Sequence, residues 1–392
     1  MKKWNSLEEL AEWETRIAEE SVSRGDDVKP LLLCFGLSDS DLVRELVKAV
    51  NPSGEKRTGN VGIPLRLGNG SIINAVTAVV YGGGNDDFTA ASPLRLEGSA
   101  DDIGIYFQGQ VLERAELIRP GNWINGVTQR GKPYSSIMLP EAGNFLMSAI
   151  PYLCSYREKG NPCLFCDYTN GLDKTVDDFV EVAAAAFREN PCYSLTLTGG
   201  NAETEDRGLQ RYAPFVREIS AAIQEAIGKK PSIQIEASPP DGNAEKYIDK
   251  LVEAGATSFM MNLEQGGYEY RKAVCAEKSK IPLSEYARAF KVVKDKGLGA
   301  ASVLINGLAE PPNSTFGYAQ MLVSMGVRPI ILPLRPRGKL KNVYPANPAE
   351  FAELSKKVGE LIDKSSIDLD KTEGCASCPG CALIQQDMRY KP

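Results

Sequence analysis

The feature that most constrains the fold is a regular alternation of short apolar segments and longer amphipathic segments after residue 145. Apolar segments with the length and composition of buried strands lie at 145–152, 194–200, 232–238, 258–264, 300–306 and 330–335. Segments with helical spacing lie at 175–187, 207–227, 244–254, 283–296, 315–325 and 348–363. This alternation predicts a parallel sheet covered by helices.

The ends of the predicted strands favour an open (β/α)6 barrel over a doubly wound sheet. Polar or glycine-rich residues follow almost every strand, and the carboxyl ends of strands are where parallel barrels place their active sites. We therefore predict an α/β protein with a partial TIM-barrel core over residues 141–365. An N-terminal α/β accessory domain over 1–140 precedes the core, and a cysteine-bearing C-terminal tail over 366–392 follows it.

The N-terminal part has a different pattern from the core. Its residue pattern predicts helices over 4–20 and 40–50 and a short buried strand over 30–36. Further strands are predicted near 61–67, 71–81, 93–96 and 104–107. The glycine-rich segment 82–87 is predicted to be a loop, because no helix N-terminus that could bind a phosphate clearly follows it. No motif in this part points to a ligand.

Charge and histidine content exclude several functional classes. The net charge of −6 argues against a general nucleic-acid or membrane-surface binder. No apolar run has the length of a membrane span, and the start of the chain lacks the pattern of a signal peptide, so we expect a cytoplasmic protein. The chain contains no histidine, which excludes a Ser-His-Asp triad, histidine-bound zinc or haem, and imidazole acid–base catalysis.

Six of the nine cysteines form two groups, spaced C-x8-C-x2-C (Cys154, Cys163, Cys166) and C-x2-C-x2-C (Cys375, Cys378, Cys381). In an unsecreted protein, clustered cysteines bind metal more often than they form disulfides. Three thiolates in one loop can bind three irons of a [4Fe–4S] cluster and leave the fourth iron for a small molecule. The alternative for the first group is a zinc site, whose fourth ligand neither a histidine nor a nearby cysteine supplies.

The first cysteine loop, with Phe165 before its last cysteine, resembles the radical S-adenosylmethionine (SAM) superfamily. The usual spacing in that superfamily is C-x3-C-x2-C, and the first gap is longer here. Three further segments match in order: 198–201 resembles the Gly-Gly-Glu segment, 261–264 resembles the Asn-Leu-Asp segment of biotin synthase, and 302–310 resembles G-x-I-x-G-x-x-E. The resemblance covers about residues 140–335, and the core resembles the biotin-synthase-like branch.

This resemblance implies a [4Fe–4S] cluster on the first cysteine group, SAM as cofactor, and an external electron donor such as flavodoxin or ferredoxin. The substrate is expected to be a small molecule. An electron delivered to the cluster cleaves SAM, and the fragment formed removes hydrogen from the substrate. The residues expected to bind SAM are Phe165, Gly199, Gly200, Asn201, Glu236, Asn262, Glu264, Arg271, Ile305 and Gly307.

Some of these assignments have structural alternatives. Arg271 is a candidate for the SAM carboxylate, or an ordinary surface arginine at the start of a helix. Glu236 contacts SAM or substrate, or caps the next helix. Arg335 and Arg337 follow the last predicted strand, where two guanidinium groups would suit a substrate carboxylate or phosphate. A solvated turn explains that arginine pair equally well.

The second cysteine group predicts an auxiliary Fe–S cluster. Its fourth iron would bind Cys34, Cys192, Cys275 or a non-protein ligand. The alternative is that these cysteines form a structural zinc site or only fix the C-terminal tail in place. The cluster could donate sulfur, bind substrate, relay electrons or only anchor the tail.

In the biotin-synthase-like branch a second cluster often accompanies sulfur insertion into a C–H bond, which is our leading reaction. The alternatives are radical rearrangement, C–C bond formation, methylation or oxidation. The cobalamin motif D-x-H-x-x-G, which needs a histidine, is absent from the sequence. From a different class, a non-catalytic Fe–S or zinc protein also fits the cysteines.

Overall fold

The structure is a computed structural model that describes residues 1–54, 62–81, 87–166 and 173–383. The predicted loop over 82–87 lies outside the described residues except for Asp87, and so does the end of the tail after residue 383. In the described ranges, no helix is both long and apolar enough to cross a bilayer.

The N-terminal part consists of three helices and an antiparallel sheet. The helices are α1 (Leu7–Arg24), α2 (Val28–Phe35) and α3 (Asp41–Val50). The strands are β1 (Ile63–Leu67), β2 (Ile72–Ala75), β3 (Leu94–Ser99), β4 (Asp102–Phe107) and β5 (Gln110–Leu117). Their order in the sheet is β2-β1-β5-β4-β3, with every neighbouring pair antiparallel. Short 3-10 turns lie between β2 and β3, at Ala78–Tyr81 and Phe88–Ala91, and a third at Asn122–Asn125 follows β5 and leads to the core.

The predicted strand over 30–36 is wrong, because this segment belongs to helix α2. The Asp27 side chain caps the helix by accepting a 2.9 Å hydrogen bond from the Lys29 backbone N–H. Gly36, with φ of +71°, ends it. All residues of α2 are buried, so its apolar run lacks the helical periodicity that would have distinguished it from a strand. The prediction over 71–81 is also too long, since β2 ends at Ala75 and a 3-10 turn follows.

The core is a second sheet of seven strands. These are β6 (Leu139–Pro140), β7 (Phe145–Ala149), β8 (Ser194–Thr198), β9 (Ser232–Glu236), β10 (Ser258–Met260), β11 (Gly299–Asn306) and β12 (Arg328–Pro333). Strands β7 to β12 are parallel and adjacent in chain order, and β6 pairs antiparallel at the edge. Side chains from β7 through β12 line one cavity, so the sheet curls around it. The predicted open (β/α)6 half-barrel is therefore confirmed.

Helices precede, connect and follow the strands of the curled sheet. They are α4 (Tyr134–Ile137), α5 (Ser155–Glu158), α6 (Val176–Glu189), α7 (Ala213–Ile227), α8 (Ala244–Ala254), α9 (Tyr268–Val274), α10 (Leu283–Asp295), α11 (Pro312–Ser324) and α12 (Pro348–Asp363). Helix α6 begins with a capping box between Thr175 and Asp178 and buries Phe179, Val182 and Phe187. Burial of such apolar side chains fixes the helices against the strands.

The C-terminal tail enters the barrel at the amino ends of the strands. The Gly374 N–H donates to Ser194 Oγ, and the Cys375 N–H donates to Thr196 Oγ1, both at 2.8 Å. Gln234 Nε2 donates to the Glu373 carbonyl at 2.6 Å. Side chains alternate between the two faces of a strand, so Thr196 and Gln234 share the cavity-facing side of the sheet with residues two positions later. The tail therefore packs on the inner face, one layer below the carboxyl ends of β8 and β9.

The N-terminal part contacts both edges of the curled sheet and the tail. Asn74 on β2 donates to Glu141 beside β7, and Arg335 after β12 donates from Nε to the Leu33 carbonyl at 3.4 Å. The fully buried Lys29 on α2 donates to the Pro379 carbonyl of the tail at 2.9 Å. These contacts place the N-terminal part beside the gap between the first and last barrel strands. The domain boundaries at residues 140 and 365 stay predictions.

Candidate active site

A cavity of about 330 Å³ lies at the carboxyl ends of the barrel strands and extends into the barrel. Both cysteine groups line this single cavity. Of the residues predicted for the site, those that line it are Cys154, Cys163, Cys166, Cys375, Cys378, Cys381, Phe165, Gly199, Gly200, Asn201, Glu236, Asn262, Glu264, Ile305, Arg335 and Arg337. A volume of this size suits a small molecule.

Backbone and side-chain hydrogen bonds position the first cysteine loop. The Ser155 N–H donates to the Asn201 carbonyl at 2.8 Å, which ties the loop to the segment after β8. Arg157 Nη2 donates to the Cys166 carbonyl at 2.6 Å and so closes the loop on itself. The three thiols are thereby held against the end of β8.

Gly200 permits the closest approach between the cysteine loop and β8. A Cβ atom at this position would lie 2.5 Å from both Cα and Cβ of Cys154, a distance that no side chain tolerates. Gly199 is also crowded, because a Cβ there would lie 2.8 Å from Tyr212 Oη. Because neither glycine has a side chain, their backbone groups are accessible beside the Cys154 thiol. A small ligand that binds through backbone groups requires such access.

The donor set fits an Fe–S cluster better than a single metal ion. Within the four described ranges, no three His, Cys, Asp or Glu side chains are grouped closely enough to hold one metal ion. A mononuclear zinc site needs such a group. In a [4Fe–4S] cluster each thiolate binds a different iron, so the ligands are spread around the cluster. Three thiols on one side of an open cavity match that arrangement.

A buried ion pair that the sequence did not predict faces the first cysteine group. Lys278 Nζ lies 2.9 Å from Glu264 Oε1, and both residues line the cavity. Burial acts to lower the pKa of Lys278, but the Glu264 carboxylate, with Tyr286 and the thiols of Cys163 and Cys275, raises it well above its usual value. The ammonium is therefore a fixed positive charge in the cavity.

Glu264 has a backbone conformation that few residues adopt outside functional sites. Its φ is +64°, in the left-handed region that is costly for a residue with a side chain. Its N–H donates to the Val303 carbonyl and its carbonyl accepts from the Ile305 N–H, each at 2.9 Å. Pairing with β11 thus maintains the strain and directs the carboxylate into the cavity.

Asn262 and Glu236 form a second polar pair at the strand ends. Asn262 Nδ2 donates to Glu236 Oε1 at 2.7 Å, while Asn262 Oδ1 accepts from the Val303 N–H at 3.0 Å. Burial, followed by the nearby Glu264 charge, raises the pKa of Glu236. Glu236 is therefore directed at the cavity by the asparagine rather than used as a helix cap.

Cys275 lies against the first cysteine group without lining the cavity. Its thiol donates a hydrogen bond to Cys163, which lowers the pKa of Cys163 despite the opposing effect of burial. The same hydrogen bond, together with burial, raises the pKa of Cys275 well above its usual value. Cys275 thus stays a neutral donor that stabilises the Cys163 thiolate.

Two residues predicted to bind SAM lie outside the cavity lining. Arg271 is buried, donates from Nη2 to the Lys278 carbonyl at 2.9 Å, and packs over the Tyr286 ring. It is not the surface arginine of the alternative interpretation, and it supports the turn that carries Lys278. Gly307, with φ of +80°, packs on Ala346, where a Cβ would lie 2.8 Å from the Ala346 Cα.

Glu310, at the end of the predicted G-x-I-x-G-x-x-E segment, joins two loops. Its oxygens accept from the backbone N–H groups of Gly266 and Gly267 at 2.7 and 3.0 Å. Gln265 in turn accepts from the Glu310 N–H at 2.7 Å. This residue therefore locks the loop after Glu264 to the loop after β11, and does not line the cavity.

The second cysteine group lies deeper in the barrel. Burial raises the pKa values of Cys375 and Cys378 well above the usual range and also raises that of Cys381. Arg335 Nη1 lies 4.0 Å from Cys381 Sγ and acts against this shift. Three neutral thiols, one of them beside a cation, are a donor set that deprotonates on metal binding.

Arg337 lines the cavity but is already held by the N-terminal part. Its guanidinium lies 3.5 Å from the Asp87 carboxylate and stacks 5.8 Å from the centre of the Phe88 ring. The solvated-turn alternative is wrong for both arginines, since Arg335 and Arg337 are each less than 9% exposed.

Several cavity residues were not anticipated from the sequence: Glu141, Met147, Tyr156, Ser238 and Lys278. Ser238 ends a predicted strand, so the strand-end rule could have found it. Glu141 precedes the first parallel strand and Lys278 lies in a later loop, and no local pattern marks either one.

Comparison with known proteins gives a family match for the barrel region. Residues 152–314 match the family model described as the Radical SAM superfamily. None of the curated proteins matches the chain.

Solved structures with similar chains include three of different activities. Methylornithine synthase (PylB) is 17% identical, with a TM-score of 0.42, over 55% of this chain and 62% of its own. Coproporphyrinogen III oxidase (HemN) from Escherichia coli, a radical SAM enzyme, is 14% identical, with a TM-score of 0.38, over 56% of this chain and 52% of its own. The radical SAM methyltransferase TsrM from Kitasatospora setae is 14% identical, with a TM-score of 0.35, over 53% and 39%. Each match covers less than two thirds of the solved chain.

Proposed function

Because residues 152–314 match the radical SAM family model, we propose that this chain is a radical SAM enzyme acting on a small molecule in the barrel cavity. The [4Fe–4S] cluster would be held by Cys154, Cys163 and Cys166. The observation that carries the proposal is that these three thiols and the predicted SAM-binding strand ends line one cavity. An external electron donor such as flavodoxin or ferredoxin would reduce the cluster.

The chain's own residues would bind and orient the cofactors. When bound, the cluster and SAM supply reductive C–S bond cleavage and hydrogen abstraction, so no histidine is needed. The backbone of Gly199, Gly200 and Asn201 would accept the SAM amino group beside Cys154. Lys278, rather than Arg271, would hold the SAM carboxylate, because it is a fixed cation that faces Cys163.

Asn262 and Glu264 would orient the SAM ribose. Asn262 is fixed by its bonds to Glu236 and Val303, and Glu264 by its pairing with β11, so both side chains are preorganised. Phe165 and Ile305 provide apolar surface in the cavity lining, against which the adenine would pack.

We further propose that Cys375, Cys378 and Cys381 hold a second Fe–S cluster that contacts the substrate. The support is its location, because a substrate bound between the two cysteine groups would meet both at once. A relay cluster would not need to share the substrate cavity. Sulfur insertion into a C–H bond is therefore our leading reaction, with radical rearrangement, C–C bond formation or methylation as alternatives. Arg335 and Arg337 would favour a substrate with a carboxylate or phosphate group.

Anaerobic reconstitution tests the enzyme proposal. The chain should bind about eight irons in two clusters and, with dithionite and SAM, release 5′-deoxyadenosine and methionine. Substitution of Cys154, Cys163 and Cys166 by alanine should remove about four irons and all cleavage. The control Cys192→Ala, at an exposed thiol outside both groups, should retain both. Iron binding without any SAM cleavage would favour a non-catalytic Fe–S protein, and bound zinc in place of iron would favour a zinc protein.

Isotope labelling tests the sulfur-insertion step. The chain would be reconstituted with heavy-isotope sulfide and incubated with SAM, dithionite and a small-molecule extract. Sulfur insertion predicts a SAM-dependent product that carries the label, with loss of sulfide from the second cluster. A SAM-dependent product without the label would instead support rearrangement, C–C bond formation or methylation.

A further inference from the structure

The geometry points to Glu141 as the fourth protein ligand of the second cluster. This inference rests on the second cluster of the proposed function and names the group that completes it. The three candidate cysteines, Cys34, Cys192 and Cys275, do not line the cavity. Cys275 contacts Cys163 of the first group, and Cys192 is exposed on a loop before β8.

Glu141 lies in the turn between β6 and β7, at the edge of the barrel sheet. It is only 4% exposed and lines the cavity together with Cys375, Cys378 and Cys381. The carboxylate therefore shares one cavity with all three thiols.

A buried amide positions the carboxylate beside Cys381. Asn74 Nδ2 donates to Glu141 Oε2 at 2.5 Å and lies 4.0 Å from Cys381 Sγ. Asn74 is itself fixed, because its backbone N–H donates to the Gly380 carbonyl at 2.7 Å. The same turn also meets Cys378, whose Sγ lies 4.0 Å from the Ala142 carbonyl. Glu141 is thus bonded to the amide that contacts Cys381 and precedes the residue whose carbonyl contacts Cys378.

The other two acidic residues that line the cavity have partners away from the second cysteine group. Glu264 pairs with Lys278, and Glu236 accepts from Asn262. Only Glu141 among the three has its hydrogen-bonded partner at the second group. Carboxylate oxygen is an established ligand type for protein-bound iron.

Buried cations nearby suit an anionic cluster with a carboxylate ligand. Arg335 Nη1 lies 4.0 Å from Cys381 Sγ, and Lys29 Nζ donates to Pro379, between Cys378 and Cys381. Buried negative charge needs such compensation. Because an oxygen ligand differs from a thiolate, the iron bound by Glu141 would be distinct from the other three.

The test uses the full chain with Cys154, Cys163 and Cys166 replaced by alanine, so that only the second cluster forms. This parent protein, reconstituted anaerobically, should hold about four irons, with one iron distinguishable from the other three by Mössbauer spectroscopy. Glu141→Ala should lose about one iron and give a three-iron cluster. Glu141→Cys should keep about four irons but lose the distinct subsite, since all ligands would then be thiolates.

Glu285→Gln in the same parent is the matched control, because it changes a buried carboxyl that does not line the cavity and should leave the spectrum unchanged. An unaltered spectrum in both Glu141 variants would overturn the inference. If the parent binds no iron, the second cluster itself is wrong and the inference falls with it. SAM cleavage by the unsubstituted chain tests the radical SAM proposal separately. Circular dichroism identifies a variant that fails to fold, and Glu141→Cys keeps the inference testable if Glu141→Ala does not fold.

Discussion

Lys278 Nζ lies 2.9 Å from Glu264 Oε1 inside the cavity, and each side chain is only 12% exposed. The pair connects the turn after α9 with the strained residue that follows β10. Arg271, which donates to the Lys278 carbonyl, supports this turn from behind. The pair therefore brings a fixed positive charge to the first cysteine group.

Lys278→Met should weaken SAM binding by about tenfold or more, because a charge-assisted hydrogen bond to the SAM carboxylate would be lost. It should also lower the free energy of unfolding by about 3 kcal/mol, since the buried Glu264 carboxylate loses its partner. Titration calorimetry with SAM and urea unfolding would measure the two effects.

The control for this variant is Lys280→Met, which removes an exposed lysine two residues away. Lys280 pairs with Glu277 at the surface, so its loss should change stability by no more than about 0.5 kcal/mol and leave SAM affinity intact. The double variant Glu264→Gln, Lys278→Met should recover most of the lost stability, because it leaves no unpaired charge. Unchanged SAM affinity in Lys278→Met would contradict the assigned role.

Gly200→Ala should impair assembly of the first cluster. The new methyl group would lie 2.5 Å from Cys154 Cα and Cβ, so the cysteine loop must shift away from β8. We expect iron bound at the first group to fall at least severalfold, while the second cluster still forms. Iron analysis and electron paramagnetic resonance would separate the two clusters.

Gly317→Ala is the matched control for the glycine substitution. A Cβ at this position of helix α11 meets no atom within 4 Å. Alanine is the better helix former, so this variant should gain about 0.5 to 1 kcal/mol of stability with full iron content. Normal first-cluster assembly in Gly200→Ala would show that the close approach to Cys154 is dispensable.

The barrel could be predicted from the sequence because its signal is repeated and periodic. Most strands are largely buried on both faces and most helices have one apolar stripe, so the alternation is visible without tertiary information. Helix α2 could not be predicted in this way. It is buried on every side, and its continuous apolar run is compatible with either a strand or a helix.

The candidate site was predictable where residues follow strands and unpredictable where they do not. Gly200, Asn262 and Glu264 lie at strand ends, which parallel topology brings together. Lys278 and Glu141 reach the cavity from a loop and from an edge turn, so only the folded chain shows their neighbours. Arg271 had the expected charge, but its side chain points to Tyr286 and the Lys278 carbonyl.

The buried Glu14 on α1 should make stability depend on pH. It is fully buried, and neither carboxyl oxygen has a hydrogen-bond partner in the part of the chain that the structure describes. Burial raises the pKa of Glu14 well above its usual value. The folded state therefore holds this proton more tightly than the unfolded state, so the stability contribution is full below the unfolded pKa and is lost as pH rises through the folded pKa.

Glu14→Met should remove this dependence and the cost of burying an unpartnered carboxyl. We expect the variant to be more stable than the parent by about 1 to 3 kcal/mol, with a difference that grows from about pH 5 to about pH 8. Urea unfolding at both pH values measures it. Glu12→Gln, on the exposed side of the same helix, serves as control and should show the pH profile of the parent. A Glu14→Met variant whose stability falls with pH as steeply as the parent would contradict the assignment.

Thr196 should be required for the second cluster but not for the first. Its hydroxyl accepts from the Cys375 N–H at 2.8 Å and donates to Gln234 Oε1 at 3.1 Å, so it anchors the start of the second cysteine group to β8.

Thr196→Val keeps the shape of the side chain but leaves the buried N–H unsatisfied, which should cost about 1 to 3 kcal/mol. Because the tail would then detach more easily, iron at the second cluster should fall while SAM cleavage at the first cluster persists. Ser324→Ala, at an exposed hydroxyl on α11, should leave both clusters intact. Equal loss of iron from both clusters in Thr196→Val would mean that the tail supports the whole barrel rather than the second cysteine group.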